Sequence, residues 1–137
     1  MKFFRSAVLI FATILSLNAV ARETVPIINY DNLAVATSSG KALHAAQVRQ
    51  AIQAAAGAKG WSIAQQAGDK LLATLDVRGK HMIMVEIDYA ADKYSLHYKD
   101  SSNMKYGERN GQPVIHPYYN KWVRELKDAI RLELLKA

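Results

Sequence analysis

A chain of 137 residues, 50% hydrophobic and 22% charged with a net charge of +6, has the length of one domain. It is too apolar for disorder and carries no glycine or proline excess. The lack of cysteine excludes a disulfide scaffold, a thiolate zinc site, a cysteine nucleophile and a lipid-modified N-terminal cysteine.

The N-terminus reads as an export signal. Lys2 and Arg5 precede an apolar run from Ser6 to Leu17, and Ala19-Val20-Ala21 is a small-x-small cleavage site. The run is too short to span a bilayer as a helix. No Arg-Arg pair precedes it, so the general secretory route is expected, with residues 1–21 removed and residues 22–137 forming a single α+β domain. The processed chain keeps sixteen basic against twelve acidic residues, a net charge of +4. The layout fits a periplasmic location, where nucleic acid is not an expected partner. The charges are dispersed, and the anions within reach are lipid headgroups, cell-wall polymers and small metabolites.

In chain order, Thr24 to Tyr30 is β-rich, and Pro26 confines it to a strand start or a sheet edge. Thr37 to Gly40 is a loop with candidate N-caps for a helix over Lys41–Ala56, ended by Gly57 and Gly60. Its apolar stripe is Ala45, Val48, Ile52 and Ala55. Four stretches of alternating polarity follow, from Trp61, Leu71, His81 and Tyr94, with turns at Gly68-Asp69, Gly79 and Ala90–Lys93.

Register follows from keeping each apolar set on one face. Tyr89 then pairs with Tyr94, Ile87 with Leu96, Val85 with Tyr98 and Leu75 with Ile83. On the other face Glu86 meets His97. Ser101 to Val114 reads as a long loop with a short ribbon at Met104-Lys105-Tyr106. Pro117 opens a final helix with the stripe Tyr119, Val123, Leu126, Ile130 and Leu134. The expected architecture is a two-layer α+β sandwich in the order β-α-β-β-β-β-α, a meander sheet with both helices on one face. The outer face carries Leu72, Thr74, Met82, Met84, Glu86, Asp88, His97 and Lys99, apolar enough to serve as a homodimer contact.

Catalytic signatures are sparse. No HExxH, GxSxG, GxGxxG, P-loop or EF-hand pattern occurs, and no cofactor is expected. His97 facing Glu86 is a candidate general base, with Ser101, Asn103 or Lys105 beside it, the basis of a hydrolase reading. Met82, Met84 and His97 are the candidate soft ligands of a copper reading. Tyr106, flanked by Lys105 and Arg109, is a candidate tip for contacting a small anion, and Tyr106 and Tyr118 are the tyrosines expected to be exposed.

The stretch Val48 to Ile52, the motif Lys59-Gly60-Trp61, the alternation from Leu71 to Tyr98 and the tail Ile115-His-Pro-Tyr-Tyr-Asn-Lys-Trp-Val123 resemble a group of small exported proteins and lipoproteins of Gram-negative bacteria that has no assigned activity. The likeness covers roughly residues 41–135, and the Ile-His-x-x-Tyr-Asn-x-Trp-Val tail is its most specific part. It implies an envelope location and the α+β fold and supplies no site. Ala21-Arg22 stands where lipoprotein members carry cysteine, which implies a soluble periplasmic form. The leading expectation is a non-catalytic binding or envelope-associated module, with the hydrolase and copper readings as alternatives.

Overall fold

The computed structural model describes residues 24–137, so the expected export signal lies outside the described residues. The domain is the expected α+β sandwich, built on a five-stranded antiparallel sheet in the order β2-β6-β5-β4-β3. These strands are β2 (Tyr30–Ala34), β3 (Ser62–Gln66), β4 (Lys70–Val77), β5 (His81–Tyr89) and β6 (Lys93–Ser102). Helices α1 (Ala45–Ala58) and α2 (Pro117–Lys136) pack on each other and on one sheet face. A second, three-stranded antiparallel sheet joins β1 (Val25–Pro26), β8 (Gln112–Ile115) and β7 (Gly107–Arg109) in that order.

The meander follows the register that the apolar faces dictate. Tyr89 pairs with Tyr94, Ile87 with Leu96, Val85 with Tyr98, Glu86 with His97 and Leu75 with Ile83. Leu71, Ala73, Ile83, Val85, Ile87 and Leu96 are buried on the inner face, against Val48 and Ile52 of α1 and the whole Tyr119–Leu134 stripe of α2. Burying each large aliphatic side chain contributes roughly 1.5–3 kcal/mol. Among the described residues no Ser, Thr, Asn, Gln, His or charged side chain is fully buried, so the layer between sheet and helices is held chiefly by apolar contact.

The first expected strand is two strands. Val25–Pro26 pairs with β8, at the edge of the small sheet where Pro26 loses no ladder bond. Tyr30–Ala34 pairs instead with β6. Asn120 of α2 holds the crossing segment: its Nδ2 donates to the Pro26 carbonyl at 2.9 Å, and its Oδ1 accepts from the Ile28 amide at 3.1 Å.

Helix α1 starts four residues later than expected. Its cap is His44, whose amide donates to Gln47 Oε1 at 2.8 Å, while Thr37–Gly40 closes a turn of its own. Gly57 lies inside the last turn. The stop is Gly60, at φ +84, with Trp61 N donating to Ala56 O and Gly60 N to Gly57 O, a Schellman arrangement that only Gly60 enters without strain.

The region expected as a loop is ordered. β6 runs to Ser102, past a bulge at Lys99: Val85 pairs with Tyr98, but Met84 pairs with Asp100. The extra residue shifts the side-chain alternation, so Ser101 comes to lie opposite buried Ile83, on the same face as Tyr98. The ribbon falls at Gly107–Ile115 rather than at Met104–Tyr106. It turns on Asn110-Gly111, both left-handed at φ +54 and +76, as a two-residue type I′ turn demands.

Candidate functional site

A cleft of ≈ 510 Å³ lies between the β4–β5 turn and the start of α2, lined by Val77, Arg78, Lys80, His81, Tyr118 and Trp122. Its size falls in the range of small-molecule sites.

The turn forms one wall. Lys80 N donates to Val77 O at 3.1 Å, and Gly79 N donates to Asp76 Oδ1 at 2.8 Å. Both central residues, Arg78 and Gly79, are left-handed, at φ +60 and +66. Glycine adopts this conformation at no steric cost. Arginine does not, and Asn or Gly is the usual occupant of that position. Asn103, beyond the end of β6, fastens the turn. Its Nδ2 donates to Lys80 O at 2.9 Å, and its carbonyl meets His81 Nδ1 at 2.8 Å. A carbonyl only accepts, so Nδ1 carries the proton and Nε2 of the neutral ring keeps its lone pair.

The first turn of α2 forms the other wall. His116 is its cap, with Nδ1 accepting from Tyr118 N at 3.1 Å, which leaves the proton of the neutral ring on Nε2. Tyr118 is 54% exposed. Its ring lies 4.6 Å from His116 and 5.5 Å from Trp122, tilted 41° to the indole, with Lys121 Nζ 5.8 Å from its centroid. Burial lowers the His116 pKa from its ordinary value, and the nearby Lys105 and His81 lower it further. The imidazole is therefore neutral at pH 7, in a region of positive potential.

The residues singled out from sequence are distributed elsewhere. Glu86 does stand opposite His97, but its carboxylate takes Lys70 at 3.4 Å and Lys99 at 3.8 Å. His97 Nε2 instead meets Asp31, which follows the first residue of β2. Met84 lies diagonal to His97 and Met82 one step further along β5, so the three soft donors form a row instead of surrounding a point. Among the described residues no three His, Asp or Glu side chains are grouped to hold a metal ion.

Tyr106 is exposed, and one of its faces is stacked on Tyr98 at 4.8 Å with the planes 2° from parallel. Tyr98 in turn meets Tyr119 edge-on at 5.4 Å and bonds Ser101 Oγ at 2.7 Å. Lys105, left-handed at φ +55, is near enough to act on His116, whereas Arg109 sits at the far end of β7 beside the Asn110-Gly111 turn.

Arg78, Lys80, His81, Tyr118 and Trp122 were not among the expected ligand contacts. The one local signal in the sequence is Arg78-Gly79, a cation at a turn position that favours Asn or Asp. The remainder of the cleft depends on the long-range approach of α2. Comparison with known proteins finds no match: no family model, curated protein or solved structure aligns with this chain.

Proposed function

We propose that this protein is a small periplasmic binding module, exported by residues 1–21, that captures an anionic ligand without catalysis. The observation that carries the reading is the convergence of Arg78, Lys80 and His81 on one open cleft with an aromatic wall. Cations gathered in a concave site raise the local concentration of anions, an effect that salt weakens. Titrating the purified protein with inorganic phosphate tests the reading through backbone amide shifts. Shifts confined to Val77–His81 and Tyr118–Trp122 that fade with added salt support it. A spectrum unchanged at millimolar phosphate overturns it. The intact mass of the protein recovered from its host tests export, since processing after Ala21 leaves a chain beginning at Arg22.

One observation favours a second reading, a hydrolase with His97 as base. Asp31 is placed to orient the ring and hold its tautomer, the role first expected of Glu86. Turnover in a screen of ester and phosphoester substrates, abolished equally by His97→Ala and Asp31→Asn, would establish it. Silence across those substrates rejects it.

A further inference from the structure

The cleft has two chemically different halves. On one side Arg78 and Lys80 flank Gly79 in a tight turn, so two cations are presented within three residues. A carboxylate brings a single charge to such a pair. A phosphate monoester brings nearly two, with three terminal oxygens to share between a guanidinium fork and an ammonium. Arg78 holds a backbone conformation that costs an arginine more than the glycine or asparagine usual there. Strain of this kind persists where the side chain is needed at that point.

The other half is aromatic. Tyr118 and Trp122 meet at 41°, forming an open V. A flat aryl ring would favour parallel faces. A puckered saturated ring lays its C–H face on one plane and its edge on the other. With Nδ1 committed to the Asn103 carbonyl, the neutral ring of His81 on the cleft wall keeps Nε2 as an acceptor for a hydroxyl group.

We infer that the cleft binds a sugar ring carrying a phosphate monoester, with the phosphate on Arg78 and Lys80 and the ring against Tyr118 and Trp122. The inference rests on the anion-binding reading above and adds the class of ligand. Such a group occurs free or as the headgroup of a membrane glycolipid.

The test compares glucose 1-phosphate, inorganic phosphate and methyl glucoside on the purified protein, by amide shifts and calorimetry. Glucose 1-phosphate is expected to bind about tenfold tighter than inorganic phosphate, the worth of one good ring contact. Tyr118→Ala, at an exposed position, is expected to bring it down to the level of inorganic phosphate. Lys80→Gln is expected to weaken both. Equal affinity for glucose 1-phosphate and inorganic phosphate overturns the sugar assignment while the anion reading stands. Failure of both to bind overturns the two together. Vesicles displaying a glycosyl-phosphate headgroup, set against phosphatidylglycerol vesicles, separate the two sources. Capture of the former alone places the ligand on a lipid, and binding of soluble glucose 1-phosphate without vesicle capture places it in solution. Equal capture of both vesicle types, with no preference for glucose 1-phosphate, reduces the cleft to a general anion site and overturns the inference.

Discussion

Asn120 takes hold of the backbone at Pro26 with both ends of its amide, donating to the Pro26 carbonyl and accepting from the Ile28 amide two residues on. One side chain of α2 thereby supplies what a neighbouring strand would supply to the segment that crosses from the small sheet to the large one. Asn120→Ala removes both bonds and is expected to cost about 1–2 kcal/mol. Asn120→Asp, which keeps the acceptor, is expected to cost less. Chemical denaturation gives the two losses, and amide exchange should quicken first at Ile28.

Arg78 sets fold against ligand. Arg78→Gly relieves the left-handed backbone and is expected to stabilise the protein by up to about 1 kcal/mol, while anion affinity falls. Thermal unfolding and a phosphate titration of the same variant read the two effects. A variant that loses both stability and affinity would show that Arg78 is a packing residue.

The pH dependence follows from His116. Its pKa is lowered in the fold by burial first and then by Lys105 and His81, so the unfolded chain takes up a proton sooner than the folded one. The stability this group contributes is complete above pH 6.5 and declines as pH falls from there through the lowered folded pKa. A bound anion opposes the positive surroundings and is expected to raise that pKa. Unfolding midpoints at stepped pH, beside His116→Gln, check the first effect. The ring-proton titration of His116 with and without phosphate checks the second.

The pair of Tyr106 on Tyr98 ties the segment before β7 to the main sheet. Tyr106→Ala is expected to cost about 0.5–1.5 kcal/mol and to loosen the small sheet, seen as faster amide exchange in β7 and β8. His97→Ala removes only a solvent-exposed contact with Asp31 and is expected to change stability by less than about 1 kcal/mol.

Much of the fold could be read from the residues because period-two alternation from Leu71 to Tyr98 leaves one register that keeps Ile83, Val85, Ile87 and Leu96 on a single face. The helix stripe from Tyr119 to Leu134 is as constrained. The fold departs from that pattern where a local rule competes with it. Asn110-Gly111 is a hairpin signal in its own right, masked by polar surroundings and short strands. Thr24–Tyr30 looks like one strand because nothing local reveals that Asn120, about ninety residues on, divides its two pairings. Of the candidate site, the turn at Gly79 is legible in the sequence. Tyr118 reads only as an exposed tyrosine, and its approach to Arg78 is a property of tertiary packing.

The bulge at Lys99 gives β6 two phases. Up to Tyr98 the even-numbered residues face the helices; Lys99 reaches Glu86 on the outer face, and past the bulge it is Ser101 that turns inward. The strand therefore counts length as well as composition. Removing Lys99 would restore unbroken alternation and leave Tyr98, Asp100 and Ser101 on their present faces, but it would take out the bend that the bulge puts into β6 and so shift Asn103, which fastens the turn carrying Arg78 and Lys80. A single-residue change outside the cleft would thus alter the anchoring of the turn that forms its wall.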